Sequence, residues 1–267
     1  MMRYDSYKHL LIEIENGVAQ VTLNRPDHRN AIHRPMIEEL RTIWPVLGSD
    51  PDVRSILLTG AGKAFCVGGD VKQMGDKEGD FGKGAGVADL SHNQKIIHGL
   101  LDLDKPVVCA INGDAVGLGA SLALLCDITV AAEEARIGDT HVKVGLVAGD
   151  GGVLIWPLLL GINKAKECLM RGLLLSAHDA ERMGLVNHVV PQGDCLAKAR
   201  EIAQELADGA SWAIRWTKLA INQTLKERAN LSGFTALALE HITMHTADHR
   251  EAALAFKEKR KPTFTGT

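Results

Sequence analysis

The order in which apolar runs, glycine-bearing bends and helical stretches follow one another constrains this chain most. Over the first ~190 residues short β-branched runs alternate with segments of helical spacing, and beyond them helical spacing continues alone. Residues 10–15 and 18–23 flank Asn16-Gly17, the dipeptide that most strongly predicts a two-residue hairpin. Residues 55–59, 107–111, 128–131 and 185–190 read as further strands. Helices are predicted over 36–47, 90–103, 163–170, 177–183, 195–206, 211–224 and 237–259, with Pro45 ending or kinking the first. A small-residue helix is expected from Gly117-Leu118-Gly119 through Cys126. This pattern predicts an α/β core over 1–195 followed by a helical region over 196–267. Residues 75–86, with five glycines, read as a surface loop suited to a lid.

Composition removes several classes of function. The 267 residues are 46% hydrophobic and 24% charged, enough for a substantial core. Thirty basic against 33 acidic residues leave a net charge of −3, so no cationic surplus exists to coat nucleic acid. An aromatic share of 4% also argues against a stacking platform for single strands. Five cysteines without a C-x-x-C pattern predict no disulfide framework and a reducing, cytoplasmic setting. The first residues lack a basic-then-apolar leader pattern. The long uncharged stretches, 115–126 and 151–163, fall short of the roughly 18 residues a membrane helix needs. No membrane partner is expected.

Two glycine-containing bends, 63–71 and 112–120, each lead from a strand toward a helix. A helix start leaves backbone N–H groups unpaired and favours negative charge. Neither bend is followed by G-K-[ST], and neither carries G-x-G-x-x-G with a suitable acidic residue. Two such bends facing one another can hold one oxyanion between two backbone donors, whereas either alone also reads as plain structure.

The residues in these bends carry a family resemblance. Ala64-Phe65-Cys66-Val67-Gly68-Gly69-Asp70 resembles the first signature of the crotonase (enoyl-CoA hydratase/isomerase) superfamily. Residues 106–127, with Ile-Asn-Gly, Gly-x-Gly and Cys-Asp, resemble the second. Asn24-Arg25-Pro26, Asn30-Ala31, Gly145, Gly151-Gly152, 180–186 and Ala255-Phe256-x-Glu258-Lys259-Arg260 match further landmarks in order. The resemblance implies a crotonase-like spiral of ββα units with a C-terminal helical trimerisation region, assembled as a trimer or a dimer of trimers. It implies an acyl-CoA thioester substrate, with coenzyme A as part of that substrate and no permanently bound cofactor. The oxyanion hole would use the backbone N–H groups of Cys66 and Leu118, the second usually being glycine in the family. Cys66, Gly68, Gly69, Asp70 and Val71 would accommodate the coenzyme, and Phe256 and Lys259 would reach it, often from a neighbouring subunit. Residues 257–261 also read as a solvated basic helix end.

The sequence departs from the family where the chemistry is concentrated. A hydratase of this superfamily uses two glutamates, and the matching positions here hold Ser121 and His141. Nine residues after His141 stands Asp150. A carboxylate near an imidazole raises its basicity and fixes its tautomer, so this pair suits removal of an α-proton or activation of water. His141, Asp150-Gly151 and Ile155-Trp156-Pro157 together resemble the 6-oxocamphor and β-diketone hydrolase branch, whose members cleave carbon–carbon bonds without coenzyme A. That branch's further active-site histidine has Leu118 in its place. His141 also reads as a loop histidine, Asp150 as a helix N-cap, and Ser121 as a packing residue or a holder of water. His241, His245 and His249 stand at i, i+4 and i+8 and so share one helix face, but no glutamate follows His241, and a polar stripe is favoured over a metal site. His33, near the expected thioester channel, receives no role. Three readings follow: an enolate-forming acyl-CoA lyase or isomerase, a C–C bond hydrolase of diketones, and a non-catalytic acyl-CoA binder.

Overall fold

The computed structural model describes residues 4–70 and 87–267, the side chains of 87–93 excepted. The expected lid at 75–86 and the coenzyme contact at Val71 lie outside the described residues. Among the described residues the strands are β1 (Leu10–Glu15), β2 (Val18–Leu23), β3 (Ser55–Gly60), β4 (Val107–Ile111), β5 (Ala115–Val116), β6 (Ile128–Ala132), β7 (Arg136–Gly138), β8 (Leu174–Ser176) and β9 (His188–Val190). The larger sheet runs in the order β1-β2-β3-β4-β6-β9, and β5-β7-β8 form a smaller one. Asn16 and Gly17 have φ of 51° and 83°, so the hairpin closes on a two-residue turn with both φ positive, pairing Leu10 with Leu23 and Glu15 with Val18. From β2 onward every neighbour in the larger sheet is parallel. The central strands β3 and β4 are buried along their whole length, as parallel strands covered on both faces must be.

Helix α1 (Arg34–Ser49) buries Met36, Leu40, Ile43, Trp44 and Leu47. It does not end at Pro45 but runs through it. An interior proline costs about 3 kcal/mol, and burying the side chains of Trp44 and Leu47 on either side, at roughly 1.5–3 kcal/mol each, offsets that. α1 packs against α2 (Val87–Asp102). α3 (Leu118–Leu124) follows β5, and α4 (Gly152–Leu160), α5 (Ile162–Arg171) and α6 (Ala177–Arg182) lead to β9.

α7 (Cys195–Asp208) lies against β3, β4 and β6, with Ala199, Ala203 and Ala207 buried. Their small side chains bring the helix close enough for Ser55 Oγ to donate to the Ala203 carbonyl at 2.7 Å. α8 (Ser211–Arg228) is pinned through buried Lys218, whose Nζ lies 2.8 Å from Asp127 Oδ2 and donates to the Lys105 carbonyl at 2.9 Å. The single helix predicted over 237–259 is two helices, α9 (Phe234–Thr243) and α10 (Ala247–Glu258). Thr246 Oγ1 accepts the His249 N–H at 3.2 Å, capping α10 and stopping continuous winding from α9. The histidines therefore do not share one face. His241 and His245 meet ring edge to ring face, while His249 is buried and donates from Nδ1 to the Val144 carbonyl at 2.7 Å. All five cysteines are free and buried, and no helix among the described residues is long and apolar enough to cross a membrane.

Candidate active site

The two glycine-bearing bends lie side by side and are zipped together. Cys66 donates its N–H to the Asp114 carbonyl at 3.0 Å, and its carbonyl accepts from Val116 N at 2.9 Å. The Cys66 amide expected to hold an oxyanion is thus spent on the protein itself, and that assignment is corrected. Its thiol is equally engaged, lying 3.2 Å from the Asn30 carbonyl, and burial pushes it up to about 12, far from a nucleophile's range.

The free donor stands three residues further on. Gly69 forms a parallel bridge with Ile32: Gly68 O accepts from Ile32 N at 2.7 Å, and Asp70 N donates to Ile32 O at 3.0 Å. Alternation along an extended backbone turns the Gly69 N–H the other way. Leu118 is the first residue of α3, where an amide has no intrahelical acceptor. The N–H groups of Gly69 and Leu118 donate to no acceptor among the described residues, and both residues line one cavity of about 70 Å³. Ile32, Ile37, Ile96, Ile97 and Met244 form its apolar wall.

Asp70 has a structural partner. Its carboxylate lies 3.3 Å from Arg25, tying the first bend to the Asn24-Arg25-Pro26 segment. Buried Asn30 wires the same region, donating from Nδ2 to the Ala61, Ala64 and Phe65 carbonyls and accepting from Arg25 N at 2.8 Å. Gly68, at φ +82°, brings its backbone against that of Val116: a Cβ there would stand 2.7 Å from the Val116 carbonyl oxygen. Neither Phe256, half exposed on α10, nor Lys259, the residue after α10, lines the cavity.

The polar wall consists of His141, Asp150 and Glu240. His141 opens a short 3-10 turn, His141–Val144, and its backbone N–H and Nδ1–H both donate to Asp139 Oδ1, at 3.1 and 2.6 Å. This fixes the ring, leaving Nε2 3.1 Å from Asp150 Oδ2 and 3.8 Å from Glu240 Oε1. Gly117, at φ +57°, gives the ring its space, since a Cβ there would stand 3.3 Å from His141 Cε1. Asp150 precedes the N-cap Gly151 rather than capping α4, and its Oδ1 has no hydrogen-bond partner among the described residues. Burial would push the imidazole down, but Asp150 and Asp139 outweigh it and hold His141 well above its ordinary range. It rests as an imidazolium between two carboxylates. Burial, with Asp150 and Asp139 nearby and only His141 opposing, raises Glu240 well above a normal carboxyl and favours its neutral form.

Asp139, His141 and Asp150 offer ligand atoms within 4.8 Å of one another. Both imidazole nitrogens already face carboxylates, so a cation would have to displace a hydrogen bond. Ser121, fully buried, has a hydroxyl with no partner among the described residues and does not line the cavity. His33, with its ring against His9, is lowered to about 4 by burial and by nearby Arg25.

Asp139 and Glu240 carried no sequence signal that singled them out. Asp139 stands two residues before His141, a spacing that allows the same turn to be braced. Glu240 precedes His241, and only the packing of α9 over the cavity gives it a place in the site.

The enoyl-CoA hydratase/isomerase family model matches residues 13–267. A short-chain-enoyl-CoA hydratase of Clostridium acetobutylicum is 34% identical, over 95% of this chain and 96% of its own. An enoyl-CoA isomerase/hydratase of Mycosarcoma maydis is 34% identical, over 94% of this chain and 93% of its own. The crystal structure of an enoyl-CoA hydratase/isomerase from Mycobacterium paratuberculosis superposes with a TM-score of 0.85 at 35% identity, covering 94% of this chain and 99% of that one.

Proposed function

Because this chain belongs to the enoyl-CoA hydratase/isomerase family of the crotonase superfamily, we propose that it forms an enolate from an acyl-CoA thioester in the cavity between its two glycine-bearing bends. The thioester oxygen takes the N–H groups of Gly69 and Leu118, and Asp150 removes the α-proton. Donors preorganised toward developing negative charge are worth roughly 10²–10³ in rate each. Asp139 holds the His141 ring, and His141 holds Asp150 and passes protons. The imidazolium cannot serve as the resting base, so that role moves from His141 to Asp150. The observation that carries this reading is the convergence of two acceptorless amides with the Asp150–His141 pair on one small cavity.

Ser121 and His141 occupy the positions where the resemblance places two glutamates, so the acid and base come from elsewhere in this chain. The coenzyme is proposed to run past Gly68 and Gly69 toward Phe256 and Lys259 of a neighbouring copy, in a trimer or a dimer of trimers. Light scattering returning a monomeric mass would remove that arrangement.

The test is deuterium exchange at C2 of trans-3-hexenoyl-CoA, followed by mass spectrometry. Wild type is expected to exchange, and Asp150→Asn to lose at least about 10²-fold. An Asp150→Asn variant that exchanges like wild type contradicts the reading. A second reading, water attack on a diketone, is favoured by the His141–Asp150 contact. Release of a carboxylic acid from a cyclic diketone, without exchange on thioesters, would favour it.

A further inference from the structure

The Asp150–His141 pair accounts for removing a proton but not for delivering one. Glu240 reaches the cavity from α9, far away in sequence, with a buried side chain and Oε1 3.8 Å from His141 Nε2. The local chain is shaped around it: a Cβ on Gly149 would stand 2.7 Å from Glu240 Oε2 and 2.8 Å from its Cβ. No Lys or Arg pairs with it among the described residues, and its one cationic neighbour is the His141 ring.

The geometry points to Glu240 as the catalytic acid of this site, with His141 Nε2 as the relay that resets it against Asp150, and a 3-enoyl-CoA thioester is the probe that reads it. This rests on the enolate reading above. The environment keeps Glu240 protonated, since burial and two aspartates oppose its charge more than one imidazolium favours it. A carboxyl group that its surroundings keep protonated can serve as the acid and leave the base to a neighbour. In the step, the C2–H bond breaks and Asp150 takes the proton. The electron pair moves into the thioester carbonyl, giving a dienolate whose oxygen the Gly69 and Leu118 amides hold. The carbonyl then re-forms as the C2–C3 double bond forms, the C3–C4 pair shifts to C4, and C4 takes the proton of Glu240. Asp150 now holds one proton more and Glu240 one fewer. His141 gives its Nε2 proton to Glu240 and takes that of Asp150, across the 3.8 and 3.1 Å separations. No oxidant, reductant or metal enters. The apolar wall of Ile32, Ile37, Ile96, Ile97 and Met244 suits a hydrocarbon chain beyond C4.

The test follows two readouts on trans-3-hexenoyl-CoA: deuterium wash-in at C2, and growth of the conjugated 2-enoyl thioester absorbance. Wild type is expected to show both. Glu240→Gln, close in shape, should keep wash-in within a few-fold and lose about 10²-fold in conjugation. Conjugation by Glu240→Gln near the wild-type rate overturns the proposal, and so does parallel loss of both readouts in a folded variant. Should Glu240→Gln not fold, Glu240→Met, similar in volume and unable to donate a proton, is read by the same split. If wild type washes no deuterium in, the enolate reading itself has failed, a different outcome from a normal Glu240→Gln.

Discussion

His141 illustrates how much one residue's chemistry depends on what brackets it. Alone in the sequence it reads as a base, and between Asp139 and Asp150 it is an acid at rest. The same bracketing couples stability to pH. His141 is raised from 6.5 in the fold, so its contribution is complete below 6.5 and disappears as pH climbs through the raised value. Glu240 is raised from 4.5, so the folded state binds its proton more tightly, and that stabilisation is likewise lost as pH rises. Both act in the same direction, and the melting temperature should fall from about pH 6 to about pH 9. Glu240→Gln, which cannot ionise, should flatten part of that fall. A melting temperature that rises over the interval, or a variant with the full wild-type slope, would contradict the assignment.

Between elements, the site depends on close backbone approach. Gly149 lies where α9 crosses the loop before α4, and a Cβ there would stand 2.5 Å from the Ala236 carbonyl oxygen. Gly149→Ala should shift α9 and withdraw Glu240, costing about 1–3 kcal/mol in denaturant unfolding and lowering conjugation more than wash-in. Unchanged stability and rates would show that α9 is not held there. Much at this scale was legible beforehand. The hairpin strands and β4 fall on the expected residues, because Asn16-Gly17 and a short unbroken apolar run each leave little alternative. Strands β5, β7 and β8 did not show, since two or three residues carry no periodicity. The break between α9 and α10 was missed although its signal is local: Thr246 caps the N–H three residues on, and helical spacing on both sides of it masked that cap. The proposed oxyanion donor lies three residues beyond Cys66 for a different reason. Which amides of an extended bend point outward depends on register against Ile32 and Asp114, and motif spacing does not contain that register.

In the whole molecule, the larger sheet and α7 supply a rigid body, while the reactive groups come from segments far apart in sequence. Gly69 follows β3, Leu118 opens α3, His141 and Asp150 follow β7, and Glu240 belongs to the C-terminal helices. The order of landmarks along the chain gave the fold correctly, whereas the place of Glu240 in the cavity required the folded chain. Trp212, Trp216 and Ile221 on α8 remain more than half exposed, an apolar surface in keeping with the proposed assembly. The central claim concerns two amides. The most direct test is a crystal structure with a non-reactive acyl-CoA thioether or thioester bound. The account predicts the acyl oxygen within about 2.7–3.1 Å of both Gly69 N and Leu118 N, with Asp150 beside C2. An acyl oxygen held elsewhere, with either amide turned away from it, would contradict the account.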